Sequence, residues 1–239
     1  MKIGILAAGK GSRLKDIASY KPLVPVAGVP LLERTMAALS KAFANSGSKE
    51  DIVIIFNEDE LQMDFSLLPS LQPENVRYFF KSTPSSMHSL YEVMKRAEVK
   101  PGQHLFVTMV DSIICPDDFR AYVETCEKLP AGHSSVLITS FVEDEKPLTV
   151  GLGKDGTVEA FQVVMETGVP VTSGVYCFSA EVWPHLADCV ARGEMKMRNF
   201  LKSLVDHGHI ITTFQVDKTL DVDRPEDIKA AEDFLGQGA

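Results

Sequence analysis

An apolar run, Ile3 to Ala7, opens directly into Ala8-Gly9-Lys10-Gly11-Ser12-Arg13-Leu14, and Lys21-Pro22-Leu23 follows closely. The run reads as a short buried strand, and the two glycines end it. Glycine lets backbone N–H groups approach an oxyanion closely, and successive N–H groups can form a concave anion nest. Arg13, Lys10 and Lys21 add positive charge beside it. A strand feeding such a loop has the chemistry of a polyphosphate cradle.

The rest of the chain repeats the strand-and-helix rhythm. Strands are expected at Ile52–Phe56, Val76–Phe80, Gln103–Val110 and Ser135–Phe141. Helices are expected through Leu31 to Phe43, over Ser86–Ala97 and over Pro116–Leu129. This alternation implies an α/β fold: a Rossmann-like, open, mostly parallel sheet flanked by helices. The rhythm changes at Thr149–Gly153 and Thr157–Phe161, which read as a hairpin around Lys154-Asp155-Gly156. Further strands are expected at Thr172–Phe178 and Ile210–Val216. Ser179 is the expected N-cap of a helix starting near Ala180, and helices are expected at Arg198–Asp206 and Pro225–Leu235. Residues from about Thr149 to Gly174 form a small mixed β region over a pocket, not a separate unit, so residues 1–239 are read as one domain.

Charge narrows the function classes. The chain carries 33 acidic and 24 basic side chains, for a net charge of −9, so a nucleic-acid-binding surface is not expected. Cys115, Cys126, Cys177 and Cys189 show no CxxC pairing and read as reduced core thiols. With no signal-peptide pattern and no long apolar span, a cytoplasmic protein without membrane contact is expected.

Three phosphate motifs compete for the opening loop. The dinucleotide fingerprint needs a glycine where Leu14 stands, which argues against a dehydrogenase. A P-loop nearly fits Gly4 to Lys10, but Gly11 replaces the hydroxyl that would bind Mg²⁺ and Gly4 lies inside the strand. The third candidate joins Gly9-x-Gly11-x-Arg13 to the downstream Lys21-Pro22. Leu6-Ala7-Ala8-Gly9-x-Gly11-Ser12-Arg13-Leu14, with Lys21-Pro22-Leu23-Val24-Pro25-Val26-Ala27-Gly28-Val29-Pro30, resembles the start of the nucleotidyltransferase superfamily. That superfamily includes sugar-1-phosphate guanylyl-, thymidylyl- and cytidylyltransferases and choline-phosphate cytidylyltransferases.

The resemblance implies roles residue by residue. Gly9, Gly11 and Ser12 would wrap the terminal phosphates of a nucleoside triphosphate (NTP), with Arg13 and Lys21 as the catalytic cations. Ala7 and Ala8 would lie against base and ribose. Mg²⁺ would be the cofactor, held by Asp111 at the end of the Gln103–Val110 strand and by Asp223 in Asp221-Val222-Asp223-Arg224-Pro225-Glu226-Asp227. Ser86, in the stretch where relatives contact base or acceptor, would bind nucleotide; Ser173 and Gly174 would bind the acceptor. Simpler readings stand beside these. Asp111 suits a turn aspartate capping the next helix, and Asp223 an ordinary helix start. Asp117 and Asp118 look like helix-start acids. Ser86 and His88 fit a serine-capped loop, Gly174 a strand bulge, and Lys10 the surface. Lys21, preceding a proline, is not expected to be buried in a helix.

Two departures direct attention to the acceptor. Val110-Asp111 stands where relatives usually show Gly-Asp. The Phe-x-Glu-Lys of many sugar-nucleotide members is absent: Phe161 is followed by Gln162-Val163-Val164, and Glu145-Lys146-Pro147 does not align with it. The expected partners are an NTP and a phosphorylated small-molecule acceptor, foremost a sugar phosphate, with a homo-oligomer left open. The alternatives are a catalytically inactive nucleotide-binding or regulatory protein of this fold, and a cytidylyltransferase for a non-sugar phosphate such as phosphocholine.

Overall fold

The structure, a computed structural model, describes residues 1–44, 50–142, 147–162 and 168–236. The strands are β1 (Lys2–Ala7), β2 (Pro25–Val26), β3 (Val29–Pro30), β4 (Asp51–Phe56), β5 (Val76–Phe80), β6 (His104–Met109), β7 (Ser112–Ile114), β8 (Ser134–Thr139), β9 (Thr149–Leu152), β10 (Val158–Gln162), β11 (Val171–Ser179), β12 (Ile211–Val216) and β13 (Thr219–Asp221). The α-helices are α1 (Leu31–Ala42), α2 (Ser86–Ala97), α3 (Pro116–Cys126), α4 (Trp183–Ala191), α5 (Met197–Asp206) and α6 (Pro225–Gly236).

Strands β5, β4, β1 and β6 lie side by side and run parallel. β11 joins β6 antiparallel, β8 joins β11 antiparallel, and β12 runs parallel to β8. The hairpin β9–β10 extends from β11. The sheet is thus mixed but mostly parallel, as the alternating pattern predicts. Its two faces carry separate cores because strand side chains alternate. Ile3, Ile5 and Ala7 of β1 face one core with Leu39 of α1 and Tyr122 of α3. Leu6 faces the other with Val93 of α2 and Leu204 of α5. Gly4 shares that second face: a Cβ there would lie 2.7 Å from Val93 Cγ1. Its missing side chain lets α2 seat directly on β1.

The topology places the functional crevice. From β1 the chain steps outward to β4 and β5, then crosses back to β6 on the other side of β1. Ligands of open α/β sheets sit at such a reversal, beyond the carboxyl ends of the strands. The glycine loop leaves β1 there, and Asp111 follows β6 there.

Two local expectations need correction. Ser179 does hold the N-cap position ahead of Ala180, but as the last, fully buried residue of β11 it makes no side-chain capping hydrogen bond. A 3-10 turn, Ala180–Val182, intervenes before α4. The helix expected over Pro116–Leu129 ends at Cys126, short of Pro130, which disfavours helix just before it.

After β4, a capping turn buries Glu60, whose carboxylate accepts the Asn57 N–H at 2.7 Å. Burial pushes the Glu60 carboxyl up to about 8 from an ordinary 4.5. The folded chain therefore holds this proton more tightly than the unfolded chain. Stability from this group is full below about pH 4.5 and falls as pH rises toward 8. At about 1.4 kcal/mol per pH unit, Glu60 alone removes roughly 2–3 kcal/mol between pH 5 and 7. Denaturant unfolding at both pH values should show that Glu60→Gln loses less stability than wild type over this interval. Equal losses would remove Glu60 as the cause.

Candidate active site

Beyond Ala7 the chain turns out of the sheet. Ala8 is still buried, Gly9 and Lys10 are exposed, and Gly11 adopts a left-handed conformation, φ 52° and ψ 33°. A short 3-10 turn, Ser12–Leu14, follows, pinned by the fully buried Leu14. A Cβ on Gly11 would lie 2.7 Å from Lys21 Cβ, so the loop passes directly against Lys21 and only glycine fits there. Gly9 also packs near the Lys21 side chain. The loop and the Lys-Pro segment are therefore one assembly.

Lys21 departs from expectation. It begins a second 3-10 turn, Lys21–Leu23, and only 6% of it is exposed. The pre-proline restriction falls on its φ and ψ, whereas burial comes from two distant carboxylates. Its Nζ bonds Asp111 Oδ2 and, at 2.5 Å, Asp223 Oδ1. Burial alone would lower the Lys21 pKa; Asp111 and Asp223 overcome it and hold it above the ordinary value.

The two aspartates meet through a small element. β7 and β13 form a two-stranded antiparallel ladder pairing Ser112 with Asp221. The Val222 N–H donates to the Asp111 carbonyl at 3.1 Å. Asp227 Oδ2 accepts from the N–H groups of Asp223 and Arg224 at 2.9 and 2.7 Å, fixing Asp223 at the start of α6. Asp223 is thus the helix-start residue of the simpler reading, yet its side chain faces Lys21. Asp111 caps nothing: Cys115 precedes α3, whose first turn carries Asp117 and Asp118. Val110 is buried without a left-handed backbone, so its departure from glycine costs no strain.

Asp221 accepts a 2.9 Å hydrogen bond from Ser112 Oγ. It lies at the cavity wall, crowded by protein atoms on one side and exposed on the other. Burial pushes its carboxyl upward, and repulsion from Asp111 and Asp223 adds to this.

A cavity of about 640 Å³ opens beside this cluster. Of the residues singled out in sequence, Arg13, Ser86, Ser173, Gly174 and Asp223 line it. Lys21 and Asp111 lie behind Asp223, and Ala7 is buried at the end of β1. Ser86 is the first residue of α2. The Ser173 hydroxyl is committed to the Leu137 carbonyl at 2.9 Å, so other atoms of Ser173 face the cavity. Gly174, at φ 76°, sits where the β11–β8 register shifts, so it is both a bulge glycine and a pocket residue. Lys196, Arg198 and Arg224 also line the cavity, and the sequence reading missed them. Lys196 and Arg198 come from the start of α5, which packs against β10. Phe161 points into the core instead, and Glu145, Lys146, Val163 and Val164 lie outside the described residues.

Asp111 and Asp223 contact one nitrogen, so their oxygens are close enough to share a cation. Hard carboxylate oxygens are the donors Mg²⁺ takes, together with phosphate oxygens and water. The chemistry of these two carboxylates therefore fits a divalent cation such as Mg²⁺.

The model of the MobA-like NTP transferase domain matches residues 3–208. The chain belongs to that family. As a MobA-like NTP transferase it is 25% identical, over an alignment of 214 residues that covers 84% of the chain, to mannose-1-phosphate guanyltransferase alpha-B of Xenopus laevis. It is 24% identical, over an alignment of 220 residues that covers 86% of the chain, to the bifunctional protein GlmU of Methanococcus maripaludis. It spans about half of these curated relatives, 49% and 47% of their lengths. The fold matches a Bacillus anthracis protein assigned as a glucose-1-phosphate thymidylyltransferase, with TM-score 0.80, 21% identity and coverage of 98% and 95% of the two chains. It also matches the CTP:phosphocholine cytidylyltransferase of Streptococcus pneumoniae, with TM-score 0.73, 21% identity and 98% of each chain. No helix among the described residues is long and apolar enough to cross a membrane.

Proposed function

We propose that this chain, acting as one domain, transfers the nucleotidyl group of an NTP to a sugar phosphate and releases pyrophosphate. The observation that carries the reading is Lys21, buried between Asp111 and Asp223 and pressed against the glycine loop beside a cavity. Family membership supports the reaction class.

The acceptor phosphate is already anionic near neutral pH, so no general base is needed. The obstacle is repulsion, about 4 kcal/mol per unit-charge pair at ~4 Å and an effective dielectric near 20. The chain must offset this and hold the two reactants in line. In this reading the N–H groups of Gly9, Gly11 and Ser12 take the β- and γ-phosphates. Arg13 grips the departing pyrophosphate with its planar fork. Lys21 reaches the α-phosphate and the attacking phosphate. Ala7 and Ala8 leave room for base and ribose, with Ser86 at the nucleotide and Ser173 and Gly174 at the acceptor. Lys196 and Arg198 supply positive charge on the acceptor side, where β10 offers none within the cavity. Asp111 and Asp223 would hold Mg²⁺, which supplies charge neutralisation on the phosphates.

The test is a matrix of four NTPs against mannose 1-phosphate, glucose 1-phosphate, inositol 1-phosphate and phosphocholine, read by pyrophosphate release. One sugar-phosphate pair should dominate, and EDTA should abolish its turnover. Turnover with phosphocholine and CTP alone would favour the cytidylyltransferase reading. Nucleotide binding with no turnover anywhere would favour a regulatory protein.

A further inference from the structure

Asn57 stands immediately after β4, one residue beyond the Phe56–Ala7 pair of the β1–β4 ladder. It is 3% exposed, and every polar group of its side chain is engaged. Its Nδ2 donates to the Ala8 carbonyl at 3.1 Å. Its Oδ1 accepts from the Asp59 N–H and from Ser82 Oγ, both at 3.1 Å. Two donors on the oxygen and a carbonyl at the nitrogen fix the amide in one orientation, since the reverse would oppose two oxygens. The backbone N–H of Asn57 is tied down separately by Glu60.

These partners have a common geography. Ala8 is the last buried residue before the glycine loop. Ser82 begins the Ser82–Ser86 segment that leads into α2 and the cavity-lining Ser85 and Ser86. Asn57 therefore joins the two segments that flank the crevice on the β4 side. Gly9 is exposed, and Gly11 takes its left-handed turn only three residues past Ala8. The Asn57 amide holds the Ala8 peptide through its carbonyl.

We propose that Asn57 is a positioning residue for nucleotide binding: through the Ala8 carbonyl it sets the direction in which the glycine loop leaves β1, and through Ser82 it holds the facing segment in register. The proposal rests on the reading of the glycine loop as an NTP site. A misplacement of about 1 Å in a group remote from the chemistry can cost on the order of 10²-fold. Two hydrogen bonds of neutral groups are enough to set such a position because the amide is buried and cannot trade them for water.

The test uses the full chain with Asn57→Asp, which keeps the shape and the accepting oxygen but loses the donor to Ala8. Amide hydrogen exchange across Gly9–Leu14 should accelerate roughly 10-fold. The Kd for the preferred NTP should rise about 10-fold, with acceptor KM within about threefold and kcat at saturating NTP largely kept. Glu60→Ala loosens the same turn without touching the Ala8 bond; it should lower Tm but leave loop exchange and NTP affinity near wild type. Unchanged exchange and affinity in Asn57→Asp would overturn the proposal, and so would equal losses in Glu60→Ala. If Asn57→Asp fails to fold, Ser82→Ala carries the test: a two- to fivefold rise in NTP Kd supports the proposal, and no change overturns it. If the wild type binds no NTP, the nucleotidyltransferase reading fails, and loop exchange still decides whether Asn57 positions the loop.

Discussion

Lys21→Met should lower kcat for pyrophosphate release by about 10²–10³, the range observed when one preorganised donor to a developing charge is removed. The same substitution should also destabilise the fold, and the two effects have separate causes. In the proposed reaction Lys21 is the cation that faces both phosphates, and its removal accounts for the catalytic loss. The stability loss comes from Asp111, which is nearly buried and would lose its bonding partner. Breaking one side of a buried ion pair costs roughly 3–5 kcal/mol, with the lower end expected here because Asp223 is 56% exposed and water screens it. The double variant Lys21→Met with Asp111→Asn separates the two causes. Removing the orphaned carboxyl group should restore most of the stability, measured by urea unfolding, and none of the turnover. Lys21→Arg should not rescue kcat, because the planar guanidinium cannot take the place of a compact ammonium packed against Gly11. Turnover within threefold of wild type in Lys21→Met would remove the residue from the reaction.

What the sequence revealed and what it concealed divide along contact range. β1, the helix over Ser86–Ala97 and the Lys154-Asp155-Gly156 hairpin rest on short-range rules, namely periodicity and turn chemistry, and the structure forms all three. The glycine loop was legible as a turn out of β1, but not the reason Gly11 must be glycine, since the atom it would strike belongs to Lys21. Burial of Lys21 was not legible, because its partners lie 90 and 202 residues away. The three-residue strands β7 and β13, too short to show periodicity, are what bring those partners together. Asn57 escaped notice for the same reason: its neighbours in sequence announce a capping turn, while its contact with Ala8 spans 49 residues. Lys196 and Arg198 look like ordinary surface charges at a helix start until α5 is packed on β10. Chemistry-bearing residue types were thus readable one by one, and their assembly was set by long-range pairing.

Asp111→Asn should lower metal-dependent turnover by about 10³ while leaving the protein folded. The amide keeps the size and one accepting oxygen of the carboxylate, and Lys21 retains Asp223 as counter-charge. The expected stability change is therefore moderate, about 1.5–3 kcal/mol, the range for losing a hydrogen bond to a charged group whose other partner survives. Activity should respond differently. A neutral amide oxygen is a weak donor to a hard divalent cation, and Asp223, more than half exposed, would be the remaining carboxylate. Turnover at low millimolar Mg²⁺ should fall by about 10³, and higher Mg²⁺ should recover part of it, since the loss is in metal affinity. NTP binding measured without Mg²⁺ should stay near wild type, because the glycine loop and Arg13 do not depend on Asp111. A Mg²⁺ titration of both proteins is the decisive measurement. If the variant shows the wild-type Mg²⁺ dependence with a uniformly lower kcat, Asp111 orients Lys21 and does not hold the cation. If its kinetics match wild type throughout, the carboxylate serves only to bury Lys21.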